Sequence, residues 1–156
     1  MRCLALNFPP GIGNPIFNTV EGVLTKLFYG IPAVKAVEFG TGVRLAEMRG
    51  SESNDEFIIV DGEISTVTNN SGGVLGGISN GMPITCTLTF KATPSISRTQ
   101  KTVHLKDRDP TTLEISGRHD PCIVPRAVPV VESAMAVVLA DFLLEAGWIK
   151  QFKEAE

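Results

Sequence analysis

The stretch GRHDPCIVPRAVPVVESAM, residues 117 to 135, gathers Arg118, His119, Asp120 and Cys122 within five positions. Pro121, Pro125 and Pro129 follow at four-residue spacing. An arginine offers a planar fork of donors to a carboxylate, a phosphate or a flavin carbonyl. Asp120, held rigidly before a proline, reads as a helix cap, as an ion-pair partner of Arg118, or as a base. The cluster is therefore either a turn whose charges satisfy one another or one wall of a site. Cys122 with His119 would make a thiol hydrolase pair, but sequence neighbours seldom face each other productively. Cys122 fits better as a small apolar side chain.

Two further segments carry candidate chemistry. Lys91 sits where an alternating strand stops, with Thr93, Ser95 and Ser97 after it. A cation with hydroxyls and free N–H groups at a strand end can seat a phosphate, and it can equally be a solvated lysine on an ordinary loop. The loop GGVLGG at 72–77 lacks the spacing of a dinucleotide fingerprint, and a strand rather than a helix follows it. Its glycines either let the backbone approach a flat or anionic ligand or simply make tight turns.

The elements that must position these groups are legible from periodicity. ITCTLTF at 84–90 alternates cleanly, with Ile84, Cys86, Leu88 and Phe90 on one face. Asn14 and Pro15 read as the cap and first position of a helix that carries Ile16, Val20, Val23, Leu24 and Leu27 on one stripe to Phe28. AVKAVEFG at 33–40 and FIIV at 57–60 read as strands, and the polar run 48–56 between them as a mobile surface loop. Short strands are expected in KTVHL and TLEIS, with His104 at an edge or in the core and 116–126 irregular. A final helix runs from about Ala127 to Ala146, with Pro129 in its first turn and Gly147 just past its end. This order predicts an α+β fold in one domain, 1–156, with helices covering one face of largely antiparallel strands.

Composition removes several function classes. Fourteen basic against seventeen acidic residues leave a net charge of −3, without the basic face that nucleic-acid binding requires. Cys3, Cys86 and Cys122 are odd in number and lack metal-ligand spacing, which implies no metal and a reduced, cytoplasmic setting. The most apolar segment, 127–147, carries Glu132, Asp141 and Glu145, so it is not read as membrane-spanning. MRCLALNF is too short for a secretory core.

Three blocks, SGGVLGGISNG at 71–81, KATPSIS at 91–97 and GRHDPCIVPRAVPVVESA at 117–134, resemble hallmark segments of chorismate synthase, in the family's order. PPGIGNPIF and IPAVKAVEFG also resemble its segments, so the likeness runs from Phe8 to Gly147. The resemblance implies part of a β-α-β sandwich and a homotetrameric enzyme of the shikimate pathway, hence of aromatic amino acid biosynthesis. That lyase converts 5-enolpyruvylshikimate-3-phosphate to chorismate with loss of phosphate, and it requires reduced FMN. Carried over by position, it implies that Pro32, Ala33, Gly76 and the run Lys91, Ala92, Thr93, Pro94 and Ser95 contact FMN. It implies that Arg118 lies on the flavin and substrate side, and that Asp120 handles the proton on flavin N5.

The family's GESHG-type motif, its phosphate-binding arginines and its two catalytic histidines are missing from this sequence, and neither His104 nor His119 stands at their positions. The chain is thus expected to be the C-terminal, flavin-binding portion of such an enzyme and inactive alone. The alternative is a non-catalytic flavin-binding or oligomerisation module. In either case, apolar faces of the 127–146 helix or of strand 84–90 should be exposed and drive self-association.

Overall fold

In the computed structural model, which describes residues 1–149, the alternating segment becomes the central strand of a three-stranded antiparallel sheet. Three strands form it: β1 (Arg2–Ala5), β2 (Val34–Phe39) and β7 (Ile84–Phe90), in the order β1-β7-β2. Cys3 lies opposite Cys86 and Ala5 opposite Ile84 on one flank, and Phe39 lies opposite Cys86 on the other. Period-2 alternation sends Ile84, Cys86 and Leu88 to one face, where all three are fully buried. Of the two exposures expected, the strand's is absent, whereas the C-terminal helix leaves Val130 and Val137 exposed. The chain buries the strand by itself.

Helices α1 (Val20–Tyr29) and α3 (Val124–Glu145) cover that face. α1 contributes Val20, Leu24 and Phe28, and α3 contributes Val131, Ala134, Met135, Val138, Leu139 and Phe142. Both sets repeat at three and four residues, as a core-facing stripe must. α1 starts five residues later than the Asn14–Pro15 signal suggests. Asn14 and Asn18 exchange two backbone hydrogen bonds and close that segment into a tight turn, which leaves Ile16 and Phe17 84% and 94% exposed. Thr19 is the true cap, its hydroxyl accepting from Gly22 N at 3.0 Å. α3 starts about a turn earlier than expected: Pro125 takes the early position and Pro129 lies inside the helix.

The rest of the chain stands off this body. Between β2 and β3 lie a 3-10 turn at Gly42–Glu47 and a one-turn helix, α2 (Gly50–Ser53). Hairpin β3 (Phe57–Val60) and β4 (Glu63–Thr66) turns at Asp61-Gly62, both at positive φ, the pattern that a two-residue hairpin loop demands. Phe57, Ile59 and Ile64 on it are exposed. A small ribbon, β5 (Val74–Leu75) with β6 (Ile78–Ser79), carries the glycine loop, and hairpin β8 (Gln100–Val103) with β9 (Pro110–Leu113) precedes α3. His104 lies just beyond β8 in the turn, neither edge strand nor core, with its Nδ1 2.7 Å from Asp107 Oδ2. Residues 150–156 of the expected single domain lie outside the described residues.

Candidate functional site

β7 has two ends, and the candidate residues divide between them. At the Phe90 end, Lys91 N donates to Ala33 O at 2.7 Å, which fixes where the chain leaves the sheet. Ala33 holds the left-handed backbone (φ 70) in the turn between α1 and β2, a conformation uncommon outside glycine. Hairpin β8–β9 then determines the rest. Its stems are zipped from Val103–Pro110 down to Gln100–Leu113, and Thr99 extends the zip by donating to Glu114 Oε2 at 3.1 Å. The segments flanking it are thereby forced side by side. Gln100 Nε2 ties the outgoing segment back through Pro94 O at 3.1 Å.

Between those segments lies a cavity of about 490 Å³. Ala92, Thr93, Ser95, Ile96 and Ser97 line one side, and Gly117, Arg118, His119, Asp120 and Pro121 the other. Of the ten residues assigned from the sequence, Ala92, Thr93, Ser95, Arg118 and Asp120 converge here. Lys91 and Pro94 belong to the same loop, and Pro32 and Ala33 adjoin its origin without lining the cavity.

The charges in this cavity do not cancel as a self-satisfied turn would have them. Among the described residues the ion pairs are His104–Asp107 and Arg126–Asp120. Arg118, exposed on the cavity wall, is left without a carboxylate. Asp120 is not the cap of α3, whose cap is Ile123 with no side-chain hydrogen bond. Asp120 Oδ2 instead accepts from Arg126 Nη1 at 2.5 Å, across the first turn of the helix. Sequence reasoning missed Arg126, since six residues with two prolines on the way match no local pairing rule. Cys122 is exposed, not a buried small side chain.

Gly76 lies at the other end, beside the start of α1, where Gly77 O accepts from Val20 N at 3.0 Å. Here the glycine loop serves the chain's own packing. Gly72 and Gly40 approach so closely that a Cβ on Gly72 would lie 2.3 Å from Gly40 N. Asp55, in the run expected to be a mobile loop, is buried and binds this region. Its carboxylate accepts from Thr68 Oγ1 at 2.7 Å, Asn70 N at 2.7 Å and Ser71 N at 2.8 Å. Burial raises its proton affinity, but those hydrogen bonds outweigh burial and hold Asp55 below the ordinary carboxylate range. Gly76 alone in the loop keeps open space: a Cβ there meets nothing within 4 Å, although its φ is 60.

The donor set of the cavity suits a flavin mononucleotide. Its volume falls in the range of small-molecule sites, its hydroxyls and Arg118 supply donors, and Ile96 supplies an apolar patch.

A family model described as chorismate synthase matches residues 1–144. Chorismate synthase of Dehalococcoides mccartyi is 54% identical over 149 residues, covering 96% of this chain and 41% of that protein. That of Methanothermobacter thermautotrophicus is 53% identical over 150 residues, covering 96% and 40%. That of Pyrococcus abyssi is 55% identical over 144 residues, covering 92% and 40%. A crystal structure of chorismate synthase superposes with a TM-score of 0.73 at 33% identity, covering 93% of this chain and 37% of that one. The chain spans about two-fifths of the length of the relatives it matches. With the family model over nearly all its described residues and a relative's fold beneath it, the chain belongs to the chorismate synthase family.

Proposed function

We propose that this chain is the flavin-binding portion of a cytoplasmic chorismate synthase, forming a single functional domain that contributes one wall of the site. The observation that supports this most is the convergence of loop 92–97 and segment 117–121 on one cavity of about 490 Å³. The enzyme removes phosphate and a proton from 5-enolpyruvylshikimate-3-phosphate, and reduced FMN, when bound, supplies electron density to the centre that phosphate leaves. Thr93 and Ser95 would hold the cofactor through their hydroxyls, with Lys91 at the edge of the same loop. Arg118, without an acid of its own, presents its guanidinium to negative charge in the site. Asp120 takes up and returns a proton through its carboxylate, and Arg126 fixes that carboxylate's orientation. Pro32 and Ala33 set the origin of the loop, and Gly76 belongs to a second contact surface at the far end of β7. The whole enzyme is a homotetramer on this reading.

Anaerobic titration of the chain with reduced FMN, followed by flavin fluorescence, tests the proposal. Saturable binding is expected, together with no chorismate formation from the chain alone. Absence of binding, or chorismate at an ordinary enzymatic rate, would overturn it. A second reading, a non-catalytic assembly module, draws on the exposed Phe57, Ile59 and Ile64 of the β3–β4 hairpin. It predicts concentration-dependent self-association without flavin binding.

A further inference from the structure

Three sulfurs from three different elements meet in the core. Cys3 of β1 lies directly opposite Cys86 of β7, and Met135 of α3 packs onto them, with Cys3 Sγ 3.4 Å from Met135 Sδ. All three are buried, at 8%, 1% and 3% exposure. Spacing along the chain, which implies no metal, does not reveal this cluster: strand pairing and the packing of α3 assemble it. Met1 and Leu88 exchange both backbone hydrogen bonds, so two residues on, Cys3 and Cys86 form the same kind of pair. Such a pair sets its Cβ atoms toward the wide end of about 4.5–5.5 Å, beyond the mean of about 3.8 Å in a relaxed disulfide. A single ion spans what an S–S bond does not. With metal–sulfur bonds of about 2.3 Å, two ligating sulfurs stand up to about 4.6 Å apart. A groove of about 270 Å³ between β1 and α3, with Cys3, Leu4, Val131 and Glu132 in its lining, leads from solvent to Cys3.

We propose that Cys3, Cys86 and Met135 form a three-coordinate site for a soft monovalent cation, Cu(I), with two thiolates and one thioether as its ligands. Thiolate and thioether sulfur are the donors that select Cu(I) over harder ions. Zn(II) in a structural site asks for four ligands in a tetrahedron, and no group of three His, Cys, Asp or Glu stands together among the described residues. The core cluster that holds the three sulfurs is otherwise apolar, with Ile84, Leu88, Val131 and Val138 in it, and this favours a dry site of low coordination number. Each thiol gives up its proton to solvent as its metal–sulfur bond forms. The copper keeps its oxidation state, so no oxidant or reductant takes part. Glu132 in the groove attracts a cation, and Arg2 on the same groove is available to balance the single negative charge that two thiolates and one Cu(I) leave. The ion ties β1, β7 and α3 to one point, so its binding locks the body. None of these residues lines the Arg118 cavity, and the inference is independent of the flavin assignment.

The test titrates Cu(I) anaerobically into the Cys122→Ser chain, which lacks the exposed thiol, against bicinchoninate as competitor. One Cu(I) per chain is expected, with an ultraviolet thiolate-to-copper band. X-ray absorption should show three copper–sulfur contacts of about 2.3 Å. The thermal midpoint should rise, because only the folded chain assembles the ligands. Met135→Leu nearly conserves volume and should keep the fold. It should nevertheless weaken Cu(I) at least about tenfold, the smallest loss that removing even a supporting group costs a metal site. Cys3→Ala should abolish the band. If its cavity unfolds the chain, the Met135→Leu affinity and the sulfur count still decide. The proposal is overturned by less than one Cu(I) per chain, by fewer than three sulfurs on the copper, by Zn(II) displacing Cu(I) at equal concentration, or by an affinity unchanged in Met135→Leu.

Discussion

The two ends of β7 are built on opposite principles. At the Ile84 end the glycine loop is closed on its own chain: Gly40 N donates to Thr85 O, Thr85 N to Gly72 O, and Asp55 accepts three donors from residues 68 to 71. At the Phe90 end a backbone bond from Lys91 to Ala33 starts a loop whose hydroxyls remain unspent, as does Arg118 on the facing wall. Glycine richness marks the first end and polar, proline-bounded loops mark the second. Most of the glycines at the first end are spent on close approaches within the chain, and Gly76 is the one in that loop that keeps open space.

The largest expected contrast is between a substitution in each end. Gly72→Ala forces a Cβ into the backbone of Gly40 at positive φ, and denaturant melts should show a loss of more than about 3 kcal/mol or an unfolded chain. Arg118→Ala should leave the melt within about 0.5 kcal/mol, as an exposed side chain usually does. It should nevertheless weaken reduced FMN about ten- to hundredfold in the fluorescence titration, the worth of a hydrogen bond from a charged donor. If Arg118→Ala unfolds the chain while binding is unmoved in the folded fraction, the division between the ends collapses.

Asp55 sharpens the comparison through pH. Its folded proton affinity lies below the ordinary value of 3.8, so the unfolded chain binds more protons in that window. Its contribution is therefore full above about pH 4 and is lost as pH falls through the folded value. Asp55→Asn should cost about 1–3 kcal/mol at neutral pH and flatten the acid limb of a stability-versus-pH curve. An unchanged acid limb would remove Asp55 as the pin of the glycine loop. The smallest effect belongs to Gly76→Ala, where nothing clashes and only the left-handed backbone resists. About 1 kcal/mol of stability should be lost. A simultaneous loss of flavin affinity would show that this distant end also reaches the ligand.

How much of this was legible depended on whether the governing contact was local. The alternation of 84–90 and the stripes of α1 and α3 are short-range patterns, and the sheet, both helices and the α+β class follow from them. The start of α1 was misplaced because Asn14-Pro15 satisfies the same capping rule as Thr19, and only the closure of Asn14 onto Asn18 decides between them. The pairing of β3 with β4 has a local signal, the Asp61-Gly62 dipeptide between FIIV and EIST. Asp55 and Arg126 had none, since their partners lie 13 to 16 and six residues away across folded chain. The cavity was half legible. Its two walls could each be named, but the side-by-side placement comes from the β8–β9 zip between them.

The cysteines turn the same architecture into a clock. Cys86 sits at the centre of the sheet opposite Cys3, and Cys3 Sγ approaches Met135 Sδ at 3.4 Å. Burial, reinforced by Cys3, pushes the Cys86 thiol up to about 12, and burial with Glu132 nearby raises Cys3 as well. Neither presents thiolate to an alkylating reagent while the sheet is closed. Cys122, exposed beside Asp120, is open to reagent throughout. Maleimide added to the native chain should therefore label once at the site quickly, and twice more only as fast as the β1–β7 pair separates. The second rate measures the opening of the body itself, with no probe attached to it.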